Sequence, residues 1–158
     1  MPIEVRRFGA GQRRREGPPG TTGVTGQVIH SDARGTISEL AFGPDARTSP
    51  HDNPNTTWFC VIEGGGFVQV GEDESRVAPG EAVLWPAGVT HAAWTDRTPM
   101  RVIVVELAGP DDAHLRGVLE GAARRLLPGE TGQAARGEGS LAPVETPGRP
   151  DPDAGEPA

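Results

Sequence analysis

Two histidines in separate segments are the residues of this chain best suited to chemistry. His51 opens the segment HDNPNTTWFCVIEGG, and His91 closes the segment GEAVLWPAGVTH. An imidazole titrates near neutral pH, so a positioned histidine can take up or release a proton during a reaction. The sequence therefore offers two candidate catalytic residues, provided that the fold brings them together.

Polar side chains follow His51 at strand spacing. Alternate side chains of a strand face the same way, so His51, Asn53, Thr57 and Phe59 line one surface if the strand is continuous. Trp58 and its alternate neighbours are apolar on the other side, as in a strand that is covered on both faces. The segment therefore predicts a polar group at one end of a buried strand.

Short β-rich runs surround both segments. Between residues 22 and 108, such runs alternate with breaks that are rich in glycine, proline, aspartate and serine. The runs predicted as strands are TGVTGQVIH, TISELAF, TTWFCVIE, GFVQVG, EAVLWP, THAAWT and MRVIVVEL. Many short strands at close spacing favour a sandwich or barrel, and the lack of strand–helix alternation disfavours a parallel sheet.

The two ends of the chain differ from this central region. Residues 1–21 form a basic arm, and an apolar stripe at helical spacing predicts one helix over 109–127. Residues 128–158 have only Leu141 and Val144 as sizeable apolar side chains, too few to offset the entropy lost on ordering. We therefore predict a barrel over 22–108, a C-terminal helix and a disordered acidic tail.

Composition excludes several classes of function. The formal net charge of −7 disfavours a nucleic-acid surface. No apolar run is long enough to span a membrane, and the N-terminus lacks the apolar core of a secretion signal. Cys60 is the only cysteine, so an intrachain disulfide is impossible. These features predict a cytoplasmic protein with neither nucleic-acid nor membrane partners.

The two histidine segments together resemble the paired motifs of the cupin superfamily. The second motif places a glycine, a proline, a second glycine and a histidine at the spacing of Gly80, Pro86, Gly88 and His91. It ends on an asparagine, where this chain has Thr95. The resemblance implies an all-β, cupin-type jelly-roll barrel whose interior receives His91.

The first motif is altered at two of its ligand positions. His51 and Gly64 match it, but Asn53 stands where a second histidine belongs and Thr57 where a glutamate belongs. The family often holds iron, manganese, nickel or zinc with three histidines and one glutamate, whereas an amide and a hydroxyl bind such metals weakly. Glu106, His30 or a substrate oxygen would have to complete the shell. The resemblance thus implies a weak or absent metal site.

The resemblance also implies the contacts of the barrel interior. The residues predicted there are His51, His91, Asn53 and Thr57 around a metal, and Phe59, Trp85 and Thr95 around a substrate.

Three functions remain open. The first is a small-molecule-binding barrel that acts as a metal-free enzyme, with His51 or His91 as the general base. The second is a metal-dependent oxygenase or isomerase, and the third is a non-catalytic small-molecule binder or sensor. Strands that are apolar on both faces, such as MRVIVVEL, further predict a homodimer, unless the N-terminal arm covers them.

Overall fold

Within residues 1–111, the regular structure consists of eight β-strands. The computed structural model describes residues 1–111. The strands are β1 (Thr21–Asp32), β2 (Gly35–Thr48), β3 (Thr56–Gly64), β4 (Gly66–Val70), β5 (Asp73–Val77), β6 (Ala82–Trp85), β7 (His91–Trp94) and β8 (Met100–Leu107). Within residues 1–111, no helix is long and apolar enough to cross a membrane.

The strands form one curled antiparallel sheet in the order β5-β4-β7-β2-β8-β3-β6, with β1 added along β2. β2 pairs with β1 and β8 along most of its length and meets β7 near its end, where Arg47 lies opposite Trp94. The all-β barrel predicted from the sequence is thereby confirmed. The helix predicted over 109–127 and the tail over 128–158 lie outside the described residues, except for 109–111.

Alternating apolar residues build the core inside the curled sheet. Phe59 and Val61 of β3 are buried, and Val61 lies opposite Val102 of β8. Phe42 of β2 lies opposite Met100 and meets Phe59 edge to face, with ring centroids 6.0 Å apart. Burying each such side chain stabilises the fold by about 1.5–3 kcal/mol. The core therefore fixes which face of β3 and β8 points inward.

The strand boundaries differ from the sequence prediction in two places. β5 begins inside the segment GEDES, which was predicted as a break because of its glycine, aspartate and serine, but β5 pairs with β4 as an edge strand and only its Val77 is buried. β2 continues through GPDART, which was also predicted as a break, and its last residues Ala46 and Thr48 are buried. Tertiary pairing has overridden local composition at both places.

The glycine run after β3 makes a sharp corner between strands that do not pair with each other. A glycine run between two β-rich segments is typical of a hairpin turn, but β3 pairs with β6 and β8, while β4 pairs with β5 and β7. Gly64 has φ of 73°, and a Cβ at this position would lie 1.8 Å from the Pro99 carbonyl oxygen. Only glycine permits this close approach.

A buried carboxylate fastens the N-terminal arm to the outer face of the barrel. Glu39 of β2 is fully buried, although it points away from the core. Arg13 of the arm binds both of its oxygens, at 2.9 and 2.7 Å, and Arg101 of β8 binds Oε2. The arm also bonds to β1, where the Arg14 amide donates to the Gly26 carbonyl. The arm therefore lies along β1 and the adjoining part of β2.

Candidate functional site

The two histidines meet at one end of the barrel. β3 begins only at Thr56, because Pro50 and Pro54 lack the amide hydrogens that a continuous ladder needs. His51 therefore lies outside the strand and reaches His91 through an isolated bridge, with amide-to-carbonyl distances of 3.1 and 2.8 Å. The two imidazole centroids are 4.4 Å apart at an interplanar angle of 68°.

Backbone carbonyls set the tautomer of both rings. Nδ1 of His51 lies 2.8 Å from the Ser49 carbonyl oxygen, and Nδ1 of His91 lies 3.0 Å from that of Val89. A carbonyl oxygen only accepts, so Nδ1 carries the hydrogen in both residues. In the neutral ring, Nε2 is then left with a free lone pair. That atom can accept a proton or bind a metal ion.

An aromatic stack forms one wall of the site. Trp85 at the end of β6 lies flat against His91, with centroids 4.1 Å apart at 17°, and Phe59 stacks on Trp85 at 4.7 Å. His91 is 1% exposed, whereas His51 is an exposed residue at the mouth of the site. The stack therefore holds His91 rigidly, with its ring inside the barrel and His51 above it.

Three buried polar atoms in this region have no hydrogen-bond partner. They are Nε2 of His91, Oγ1 of Thr57 and Nε1 of Trp85. Thr57 and Trp85 lie opposite each other on β3 and β6, and Trp85 contacts His91. Leaving a buried polar group unpaired costs about 1–3 kcal/mol. Three of them on adjoining residues mark a place that is suited to a bound polar atom.

Glu106 supplies a carboxylate on the same inner face. It lies opposite Thr57 in the pairing of β3 with β8, and paired residues of a sheet share a face. Asn55 donates its side-chain amide to Oε2 of Glu106 at 2.5 Å and accepts the Gly109 amide at 3.1 Å. Asn55 therefore orients Glu106 and ties the chain beyond β8 to the segment that carries His51.

The surroundings of His91 favour the neutral ring at rest. Burial lowers the pKa of His91, chiefly because the charged form loses its hydration. The hydrogen bond to the Val89 carbonyl and the negative charges of Asp52 and Glu106 oppose this shift, while the charge of His51 adds to it. The imidazole is therefore held as a base whose protonated form still finds compensating partners.

The remaining predicted residues lie around this centre in different roles. Asn53 is half-buried, and its Oδ1 accepts a hydrogen bond from the backbone amide of Asn55 at 2.9 Å. Thr95 is buried, but its hydroxyl donates to the Gly43 carbonyl and accepts the Ala46 amide, so it serves the fold. Phe59 contributes only an apolar ring.

His30 does not join the other histidines. It lies opposite Ile37, which lies opposite Val105, so it is on the other face of the sheet from Glu106. Its Nε2 lies 2.9 Å from the carboxylate of Asp32. His30 is thus part of the outer surface near the β1–β2 turn.

The donor set does not fit a stable first-row metal centre. His51 and His91 offer free Nε2 atoms, but Asn53 is a neutral amide and Thr57 a neutral hydroxyl. No group of three or more His, Cys, Asp or Glu side chains within residues 1–111 is arranged to hold a metal ion. Protein metal centres of this kind use at least three such ligands. Two imidazoles alone predict weak binding.

A surface depression elsewhere shares no residue with this site. It has a volume of about 370 Å³ and lies in the N-terminal arm, lined by Arg6, Arg7, Phe8, Ala10 and Gln12. It is open to solvent and contains none of the unpartnered buried atoms.

Sequence and structure comparisons agree on the architecture. A family model described as a cupin domain matches residues 38–106, which include both histidines. No curated protein matches the chain in sequence. The polyketide cyclase RemF from Streptomyces resistomycificus is similar in structure, with a TM-score of 0.59 and 24% identity over 70% of this chain and 82% of that one.

Two proteins from Thermotoga maritima share the same architecture. A cupin-like protein has 22% identity and a TM-score of 0.57 over 72% of this chain and 99% of its own. A predicted oxalate decarboxylase has 14% identity and a TM-score of 0.61 over 66% of this chain and 99% of its own. Likenesses at such identities show the fold alone, and one fold hosts many activities. With the family match across both motifs, residues 38–106 of this chain are a cupin domain.

Proposed function

We propose that the protein binds a small organic compound inside the barrel and uses His91 as a general base. The observation that carries this proposal is the buried, unpartnered Nε2 of His91, whose lone pair is fixed by the bond from Nδ1 to the Val89 carbonyl. A base that is already oriented and desolvated needs no rearrangement to accept a proton.

The surroundings support a proton-transfer cycle. When His91 accepts a proton at Nε2, the imidazolium keeps its bond to Val89, gains attraction from Glu106 and lies against the electron-rich face of Trp85. The hydroxyl of Thr57 and the Nε1–H of Trp85 are free to donate to the negative charge that develops on the compound. His51 at the mouth is placed to exchange the proton with solvent.

The structural relatives leave the reaction itself open. One is titled a polyketide cyclase and another a predicted oxalate decarboxylase. Cyclisation of a ketone chain involves removal of a proton next to a carbonyl, which a buried imidazole can perform. We favour this class of proton abstraction over metal-dependent oxygen chemistry, because within residues 1–111 no third His, Cys, Asp or Glu side chain is arranged with the two imidazoles to hold a metal ion.

Deuterium exchange tests the proposal. Small ketones, hydroxyketones and 1,3-diketones are incubated with the protein in D₂O, and loss of the proton next to the carbonyl is followed by ¹H NMR. We expect the protein to accelerate proton exchange of at least one compound, and His91→Gln to lower that rate about 10²-fold or more. His30→Gln is the matched control, since His30 lies on the outer face. Equal rates in wild type and His91→Gln would refute the role of His91.

We also propose that the protein is a homodimer. Apolar side chains of β3 and β8 occur in opposed pairs on the outer face, with Trp58 opposite Val105 and Cys60 opposite Ile103, and Ile62 beyond them is 39% exposed. In the described part of the chain, the hydrogen bonds between the N-terminal arm and the barrel involve β1, Glu39 of β2 and Ser49 just after β2. A second copy of the chain would remove this apolar face from water.

A further inference from the structure

Three unpartnered atoms at the site define what kind of ligand atom would satisfy them. Nε2 of His91 accepts, because its hydrogen is on Nδ1. Nε1 of Trp85 only donates, and the hydroxyl of Thr57 does either. A carbonyl oxygen has no hydrogen for His91, and an ammonium group has no lone pair for Trp85. A hydroxyl group has both, so it matches all three atoms.

The charges around the site disfavour an anionic ligand. The inner face carries the carboxylate of Glu106, and Asp52 also acts electrostatically on His91. Among residues 1–111, the arginines next to the site in sequence or pairing point elsewhere: Arg47 is exposed, and Arg101 binds Glu39 and Glu63 on the outer face. A carboxylate or phosphate ligand would meet negative charge with no fixed cation to offset it.

The apolar side chains around the site indicate the kind of carbon skeleton that the ligand has. Phe59 and Trp85 present stacked rings, and Val83 and Val104 lie opposite Phe59 on its two neighbouring strands. These side chains offer no further hydrogen-bonding group besides Nε1 of Trp85. An apolar, preferably flat, carbon skeleton therefore fits next to the hydroxyl.

We infer that the barrel selects an uncharged compound with a hydroxyl group, such as an enol or a phenol, and that Glu106 is the residue that rejects carboxylates. This inference rests on the proposed function, since it names the substrate class of the same site. The hydroxyl binds between His91, Trp85 and Thr57, with its hydrogen toward Nε2 of His91. For the ketones of the proposed reaction, this is the hydroxyl of the enol, which forms when His91 moves the proton from carbon to the oxygen that Trp85 and Thr57 hold. Glu106, oriented by Asn55, acts through its charge and is a specificity-determining residue.

Three compounds of one size separate the contributions. Phenol is neutral and has the hydroxyl, anisole is neutral without a hydroxyl hydrogen, and benzoate is an anion at neutral pH. Binding to the full chain is measured for each by isothermal titration calorimetry at millimolar concentration. We expect phenol to bind about tenfold or more tightly than either of the others. Absence of phenol binding, or anisole binding as tightly as phenol, would overturn the hydroxyl assignment.

Variants assign the effects to residues. Thr57→Val should lower the preference for phenol over anisole, and Thr22→Val, at an exposed threonine of β1, should leave it unchanged. Glu106→Gln should strengthen benzoate binding about tenfold, while Glu72→Gln in the exposed β4–β5 turn should not. Benzoate binding that is equally weak in Glu106→Gln and wild type would refute the role of Glu106.

The same experiment separates this inference from the proposed function. If benzoate binds best and His91→Gln still abolishes proton exchange, the substrate class is wrong while the base is right. If phenol binds as expected but proton exchange does not depend on His91, the ligand class holds and the catalytic role fails.

Discussion

Replacing Thr57 by valine should stabilise the protein, which is the opposite of the usual effect of a substitution in the core. Thr57 is 3% exposed, and its hydroxyl oxygen has no partner. Burying such a group costs about 1–3 kcal/mol, and valine has the same shape without the hydroxyl. We expect the free energy of unfolding to rise by about 1 kcal/mol, at the low end of this range because the site relaxes in part.

The neighbouring threonine is a matched control. Thr56 is also 3% exposed, but its hydroxyl donates to the Gly109 carbonyl at 2.8 Å. Thr56→Val loses this bond, so its free energy of unfolding should fall by about 1 kcal/mol. For a domain of this size, the two melting temperatures should move by about 4 °C in opposite directions.

Thermal and urea denaturation followed by circular dichroism measure both effects. The difference between the two variants is more informative than either alone, because the added methyl group is the same in both. Equal destabilisation of Thr57→Val and Thr56→Val would refute the reasoning, since it would show that the hydroxyl of Thr57 is satisfied in the free protein, for example by an internal water.

Three further predictions concern charge, metal binding and assembly. Between neutral and acid pH, wild type should lose more of its free energy of unfolding than Glu39→Gln does. Arg13 foremost, with Arg101, lowers the pKa of Glu39, so the stabilisation by the charged Glu39 is present above the ordinary glutamate pKa of about 4.3 and is lost as the pH falls through the lowered pKa. Urea titrations at several pH values measure this difference. Asn53→His with Thr57→Glu should raise Zn²⁺, Ni²⁺ or Mn²⁺ affinity more than about tenfold, or about 1.4 kcal/mol, and equal affinities by calorimetry would contradict the alignment of the first motif. Light scattering at micromolar concentration should give the mass of a dimer, and a monomer would remove that proposal.

The sequence predicted those parts of the fold that depend on local pattern. Strand alternation placed Thr57 and Phe59 on one inner face, and the structure has both buried on β3. The motif around His91 predicted the turn and strand that bring it inside. β5 was missed because glycine, aspartate and serine at its start are typical of a break between strands, and only pairing with β4 makes it a strand.

Contacts that depend on how distant strands pair could not be predicted from local sequence patterns. Glu106 was named only as one possible metal ligand, since its position opposite Thr57 follows from the pairing of β8 with β3. The burial of Glu39 needs Arg13 from the arm and Arg101 from a distant strand. Thr95 was predicted to contact substrate, yet its hydroxyl binds the backbone of β2, a contact that no spacing in the sequence indicates.

The imidazole of His91 offers the most direct test of the account, because the proposed base requires a free lone pair on Nε2. Long-range ¹H–¹⁵N NMR of histidine-labelled protein, assigned with His91→Gln, reports which ring nitrogen carries hydrogen. We expect the neutral ring at neutral pH with hydrogen on Nδ1, protonation only at a pKa below the ordinary histidine value, and a shift of the Nε2 resonance when phenol is added. A hydrogen on Nε2, or a ring already protonated at neutral pH, would contradict the assignment of His91 as the base.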